Sequence, residues 1–296
     1  MQFLSNLNLY IIFFNFFQLC FLILYSFPLI EIKNLLINIS IFLLNYLILN
    51  YGKKQINLNN KNKTLLIENI KHNIEKTYTI DRSIEKKYMN NKKEIKENGF
   101  TIIKSFLNDE FISNTKKYIN QGAVEGCLCG EKITFKKLVD DINNYNIKDI
   151  CSYIFESDKI VNAFDYKLSF NEPKSKGNPM NLHRDYPFNS KYYNDLNNEL
   201  YKIKDILSIQ IFLCISDVNK DNGATVYIKD SFNDNTFYKK KKYCKSKLNY
   251  LNAQKGDLIL WNSKLVHSGP NENFTDNKRV VILGQYIYDC FKTTKY

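Results

Sequence analysis

"LSIQIFLCI", residues 207–215, alternates Ile209, Ile211, Leu213 and Ile215 with Ser208, Gln210, Phe212 and Cys214. Side chains on a strand point to opposite faces in turn, so this run predicts a strand whose two sides do different things. Four more runs are β-branched or aromatic and are separated by Gly, Asn and Asp. They are "DYKLSF" (165–170), "ATVYI" (224–228), "GDLILWN" (256–262) and "RVVILGQYIY" (279–288). Ahead of them the period is mostly helical. "ENGFTIIKSFLNDEFISNTKKYINQG" (97–122) predicts a short strand Phe100 to Ile103, an N-cap at Asn108 or Asp109, and a helix ending near Gly122. Phe135, Leu138, Val139 and Ile142 recur at helical spacing, and so do Ile147, Ile150, Cys151 and Ile154. Helices followed by many short strands predict a mainly β body, a double-sheet barrel buttressed on one side by helices.

The 296 residues carry 42 Lys+Arg against 30 Asp+Glu, but the first fifty have almost no charge. "LYIIFFNFFQLCFLILYSFPLI" (9–30) is an uncharged stretch of the length that crosses a bilayer as a helix. It has no basic n-region and no small-x-small cleavage site, which disfavours a signal peptide. "LLINISIFLLNYLILN" (35–50) is shorter, with Asn34, Asn38 and Asn45 on one helical face. It reads either as the second helix of a hairpin or as an interfacial helix. The expectation is therefore a hydrophobic anchor over 1–50, a basic polar tether over 51–92 with a short helix around Ile84 to Met89, and a catalytic domain over 93–296. Lys53 and Lys54 follow the hydrophobic part and no charge precedes it, so the positive-inside rule places the body on the cytoplasmic side.

Seven scattered cysteines with no C-x-x-C pair read as reduced thiols. "GAVEGCLCGEK" (122–132) lacks the residues of a phosphate cradle and reads as a flexible loop. The run Lys239 to Lys242, with Lys245 and Lys247, is interleaved with Tyr238 and Tyr243. It reads as an exposed insertion, and nucleic acid is disfavoured as a partner. His72 reads as a surface histidine.

"NLHRDYPF" (181–188) places His183 and Asp185 two apart, where a strand would aim both at one point. Alone the pair means little, because about one histidine in ten has a carboxylate at that spacing by chance. A third candidate ligand, His267, follows the strand in "LILWNSKLVHSGPN" (258–271). Two histidines and a carboxylate, with open positions remaining, suit a non-haem Fe(II) oxygenase. A bound 2-oxo diacid would need a cation for its far carboxylate, and Arg279 begins the strand returning after His267.

These pieces resemble the phytanoyl-CoA dioxygenase family of Fe(II)/2-oxoglutarate-dependent oxygenases, over roughly residues 95–290. The resemblance is carried by "NGFTIIKSFLNDEFI" (98–112), "NLHRDYPF", "CISDVNKDNGATVYI" (214–228) and "GDLILWNSKLVHSGPNENFTDNKRVVILGQY" (256–286). It implies a double-stranded β-helix, the jelly-roll or cupin-like barrel. It implies His183, Asp185 and His267 as iron ligands and catalytic residues, and Arg279 as the clamp on the 2-oxoglutarate carboxylate. Fe(II), 2-oxoglutarate and dioxygen follow, with ascorbate as a candidate auxiliary. The implied reaction is hydroxylation of an unactivated C–H bond with release of succinate and carbon dioxide. Asp185 argues against halogenation, since family halogenases lack that carboxylate. The chain departs from the family at Asp230-Ser231-Phe232, where Gly-Ser-His is common, and at Arg184, where Gln is common.

The expected substrate is a small or lipid-like molecule, under a tyrosine-rich lid over 185–203. Two other readings stay open. One is a barrel without catalysis that serves as a binding module. The other is a prolyl-hydroxylase-like oxygenase acting on protein, whose relatives usually place Lys on the return strand; Lys278 adjoins Arg279.

Overall fold

The computed structural model describes residues 81–120, 124–125, 131–176, 182–185, 206–233, 248–269 and 271–289, with isolated positions at 61, 64, 65, 68 and 78. The chain divides into two compact units, Met1–Leu65 and Leu66–Tyr296. In the first unit only Lys61, Thr64 and Leu65 are described, and all three are helical. The predicted anchor, most of the tether, the lid beyond Asp185 and the Lys-rich run 239–247 lie outside the described residues. Among the described residues, no helix is long and apolar enough to cross a membrane.

The second unit opens with helix α1 (Arg82–Asn98) and strand β1 (Phe100–Ile103). The Asp81 carboxylate caps α1 by accepting from the Ser83 backbone N–H at 2.8 Å. The helix is longer than the short one predicted around Ile84 to Met89, because Tyr88 and Ile95 are buried and extend its apolar side by two turns. Helix α2 (Asp109–Asn120) starts where predicted, with Asn108 Oδ1 accepting from the Phe111 backbone N–H at 2.8 Å. Helices α3 (Lys136–Asn143) and α4 (Ile147–Phe155) follow the two predicted apolar repeats.

Strands β2 (Val124–Glu125) and β3 (Glu131–Ile133) pair antiparallel where a flexible loop was expected. Their residues pair with a neighbouring strand over only two or three positions, too few for alternation to register in sequence. The remaining strands are β4 (Ile160–Asn162), β5 (Lys167–Asn171), β6 (Ser208–Cys214), β7 (Val226–Ile228), β8 (Leu248–Tyr250), β9 (Leu258–Asn262), β10 (His267–Ser268) and β11 (Arg279–Tyr288). β4 and β8 had no sequence signal of their own.

The large sheet runs β1-β9-β6-β11-β5-β3-β2, with β4 added to β11. The small sheet runs β10-β7-β8, and His183 adds to its β10 edge through an antiparallel bridge to His267. From β5 onward the chain therefore winds between sheets: β5 large, His183 small, β6 large, β7 and β8 small, β9 large, β10 small, β11 large. This is the alternating path of a jelly roll, as the strand pattern predicted.

The alternation in "LSIQIFLCI" sorts into two cores. Ile209, Ile211 and Leu213 lie in a cluster shared with α1, α2, α3 and α4. Phe212 and Cys214 lie in a second cluster with Ile259, Trp261, Leu265 and Val281. The β6–β11 register keeps the faces matched: Ile209 lies opposite Tyr286 and Leu213 opposite Ile282, whereas Gln210 lies opposite Gln285 and Cys214 opposite Val281. Cys151 and Cys214 are free and buried, as expected of reduced thiols. Burial pushes the Cys214 thiol up, to about 12.

Candidate metal centre

Backbone pairing brings the two histidines together. His183 N–H donates to the His267 carbonyl at 2.9 Å and His267 N–H returns the bond at 3.0 Å. The imidazole centroids are then 4.5 Å apart. Asp185, two residues on, points to the same side. Its Oδ1 lies 3.6 Å from His183 Nε2 and its Oδ2 lies 3.2 Å from His267 Nε2. One potential ligand atom from each residue falls within 4.8 Å of the others, the one such His/Asp group of three among the described residues. Two donors at right angles, each about 2.1 Å from an ion, are about 3 Å apart, so these separations fit one coordination sphere.

His267 is the deepest ligand, with 9% of its side chain exposed against 18% for Asp185 and 26% for His183. Its Nδ1 donates to the Leu265 carbonyl at 2.9 Å, which aims Nε2 at Asp185, as a donor to the carboxylate in the metal-free site and as the nitrogen that would face a bound ion. The Trp261 indole meets the His267 ring edge to face at 5.3 Å and stops it turning. Phe100, Tyr227 and Phe212 hold Trp261 in turn. Burial pushes the Asp185 carboxyl up, but the adjacent His267 and the hydrogen bonds from both imidazoles outweigh this and hold it well below the usual carboxylate range. Asp185 is therefore an anion, as a ligand must be.

Three buried polar side chains without a distinctive sequence pattern brace the loop that contacts the Asp185 backbone. The Asp185 backbone N–H donates to the Ser263 carbonyl at 3.1 Å. Ser263 Oγ lies 2.7 Å from Ser208 Oγ, and Gln285 Nε2 donates to Ser208 Oγ at 2.6 Å and to Ser263 Oγ at 3.3 Å. All three are at most 1% exposed. Their signal in sequence was a polar residue at barrel-facing strand positions, which reads equally well as a solvent-facing one.

Arg184 points away from its two neighbours and is 1% exposed. Its Nη2 donates to the Ser231 carbonyl at 2.6 Å, and Ser231 Oγ accepts from the Val266 backbone N–H at 2.8 Å. The two departures from the family pattern, Arg184 and the Asp230-Ser231-Phe232 stretch, thus meet each other. They tie the H-x-D segment to the residue before His267.

Arg279 is 3% exposed. Its Nη2 donates to Ser169 Oγ at 3.3 Å, and its Nε has no hydrogen-bond partner. No carboxylate among the described residues pairs with it. Burial lowers its pKa to about 10 against an opposing effect from Cys214, as expected of a charge taken out of water. The donor set fits an anionic ligand. Lys278, the alternative cation, is instead half-exposed, 2.6 Å from Glu172 and over the Phe170 ring.

The turn between β6 and β7 braces this region. Gly223 has φ +84°, and a Cβ there would lie 1.7 Å from Asn171 Nδ2 and 2.6 Å from the Asn271 carbonyl oxygen. Asn171 lies opposite Arg279 in the β5–β11 register and also donates to the Asn271 carbonyl at 2.6 Å. The loop leading into Arg279 is thereby pinned against the turn.

A comparison with curated protein sequences finds no match. Among solved structures, the chain is similar to the non-heme alpha ketoglutarate dependent epimerase SnoN from nogalamycin biosynthesis, at 14% identity over 68% of this chain and 81% of that one, with TM-score 0.49. It is also similar to the carbocyclase SnoK from the same biosynthesis, at 13% identity over 67% and 83%, with TM-score 0.47. EvdO2 from Micromonospora carbonacea var. aurantiaca matches at 11% identity over 72% and 93%, with TM-score 0.47. The family model described as Phytanoyl-CoA dioxygenase (PhyH) matches residues 112–281, more than half of the chain, and this span holds His183, Asp185, His267 and Arg279. The chain belongs to the phytanoyl-CoA dioxygenase family of iron- and 2-oxoglutarate-dependent enzymes.

Proposed function

We propose that this protein is an Fe(II)- and 2-oxoglutarate-dependent dioxygenase that hydroxylates an unactivated C–H bond of a small or lipid-like molecule. The observation that carries this reading is the convergence of His183, Asp185 and His267 on one point, in the same domain as a buried arginine that pairs with no carboxylate among the described residues. His183 Nε2, Asp185 and His267 Nε2 would hold the iron, and Arg279 would hold the distal carboxylate of 2-oxoglutarate. Bound iron with 2-oxoglutarate supplies oxidation by dioxygen, yielding succinate, carbon dioxide and hydroxylated product.

The residues of the chain do the positioning. Leu265 selects the His267 tautomer, Trp261 fixes its ring plane, and Ser263 fixes the Asp185 backbone. Lys278 faces Glu172 and Phe170, which favours Arg279 as the clamp and weighs against the prolyl-hydroxylase-like alternative. A complete ligand triad together with a buried cation that meets no carboxylate among the described residues weighs against a binding module without catalysis.

The hydrophobic segments over 9–30 and 35–50, followed by Lys53 and Lys54, support a membrane tether with the catalytic domain facing the cytoplasm. A tether raises the standing of a lipid-like substrate, although fold alone does not select one.

Anaerobic titration of the full chain with Fe(II) and 2-oxoglutarate tests the reading. The expected result is the weak visible charge-transfer band of the chelate, lost in His183→Ala. No band in the wild type, or an undiminished band in His183→Ala, overturns it. A lipid and metabolite screen for succinate release above the Asp185→Ala blank then identifies the substrate.

A further inference from the structure

We propose a second small-molecule site, on the helix-facing side of β11, that takes a small amphipathic carboxylate. A cavity of about 320 Å³ opens there between α3, the start of α4, β4 and β11. Its body is apolar, from Ile142, Ile147 and Val161, and its polar groups are the Tyr166 and Tyr286 phenols with Asn143, Lys148 and Asn162. The volume is at the lower end of the range for small-molecule sites and admits roughly ten non-hydrogen atoms.

Tyr166 is the first sign that the cavity is built for a ligand. The residue is 4% exposed, and its hydroxyl lies near the Tyr286 hydroxyl and the Asn162 side chain but makes no hydrogen bond of ordinary geometry. Buried hydroxyls are normally fully satisfied, so one that lines a cavity with its hydrogen bonding incomplete marks where a ligand atom fits. The ring is also deliberately seated. A Cβ on Gly284 would lie 2.6 Å from Tyr166 Cε1 and 2.8 Å from Cδ1, so the tyrosine occupies the space a side chain would fill. Gly284 stands inside the ten-residue β11, where glycine weakens a strand and commonly marks such a close approach.

Charge and hydrogen bonding select the ligand class. Burial pushes both phenols up, so each is a neutral O–H able to donate. Lys148 is exposed and has no ion pair among the described residues, and no carboxylate lines the cavity. Donors and a cation around an apolar body fit an anionic head on a short hydrocarbon. A cationic ligand would be repelled by Lys148, and a neutral alcohol would gain no charge attraction from the hydrated ammonium. Arg279 and the Asp185-positioning serines use the opposite side of the same strands, so this site stands independently of the oxygenase reading.

The test is calorimetric titration of the full chain with octanoate and with octanol. Octanoate is expected to bind saturably at one site, at least about tenfold tighter than octanol. Lys148→Glu, on the surface and so safe for folding, should weaken octanoate at least about tenfold, and Tyr166→Phe about fivefold. Arg279→Gln and Asp185→Ala should leave the affinity within about twofold. No saturable binding, octanol binding as tightly as octanoate, or loss of octanoate in Arg279→Gln with retention in Lys148→Glu would each overturn the proposal. The last result would place the carboxylate in the barrel.

Discussion

Strands β6, β9 and β11 each turn one face to the helices and the other to the barrel interior. Both faces are buried, yet they are made differently. The helix-facing side is a continuous apolar layer, including Ile209, Ile211, Leu213, Leu258, Leu260 and Ile282. The barrel side places Ser208, Arg279 and Gln285 among Phe212, Trp261 and Val281. An apolar layer needs only shape, whereas each buried polar group on the other side needs a partner of its own. Ser208, Ser263 and Gln285 find partners in one another, while Arg279 keeps an unpaired nitrogen. The difference separates what holds the fold from what serves chemistry, and it can be broken one face at a time.

The largest effect is expected at the ligands. Asp185→Ala should abolish stoichiometric iron uptake and lower substrate-coupled succinate release by at least about a thousandfold, with little change in thermal stability of the metal-free protein. Metal content and succinate assays check this, and an iron-replete active variant would detach the triad from the chemistry. On the other face, Leu260→Ala should cost about 2–5 kcal/mol of stability by emptying a fully buried position, while the folded fraction still takes up iron. Denaturant unfolding with a parallel metal assay distinguishes the two faces directly. Arg279→Gln should raise the 2-oxoglutarate concentration needed for half-saturation about a hundredfold and leave iron uptake intact, with Arg279→Lys intermediate. Equal loss of iron and 2-oxoglutarate would mean that Arg279 holds the barrel together instead of clamping an anion.

The same contrast explains what was legible in sequence. The helix-facing layer was readable because Ile209, Ile211 and Leu213 recur at period two over a long strand, and because α2, α3 and α4 carry apolar residues at helical spacing. The ligand triad was readable because histidines are scarce, His183 and Asp185 sit at strand spacing, and His267 follows a strong strand. Arg279 was readable by its place at the start of β11. Strands β2, β3, β4 and β8 were not, since two or three residues cannot display a period. The Ser208, Ser263 and Gln285 cluster was hidden for a different reason. Alternation tells that a strand has two faces, but a polar face turned to a barrel interior has the same pattern as one turned to water. Gly284 was likewise silent, because only the packed structure reveals the tyrosine ring that takes its side-chain space.

Gln285→Leu sharpens the comparison most finely, since it replaces a barrel-facing polar group by an apolar one of similar size. Ser208 and Ser263 would lose the donor they share, and the Ser263 loop, whose carbonyl accepts from Asp185 N–H, would lose part of its support. The expected cost is about 1–2 kcal/mol in stability and roughly tenfold in iron affinity, because groups that orient a ligand commonly matter to that extent. If Gln285 served the fold alone, the midpoint of unfolding would fall while the iron dissociation constant stayed as in the wild type. If it positions Asp185, both should move, and Ser263→Ala, which removes the hydroxyl through which Gln285 and Ser208 hold that loop, should weaken iron to a similar extent. A strand can therefore carry packing on one side and ligand geometry on the other only while the polar side remains internally satisfied. Gln285 is where that requirement meets the metal centre.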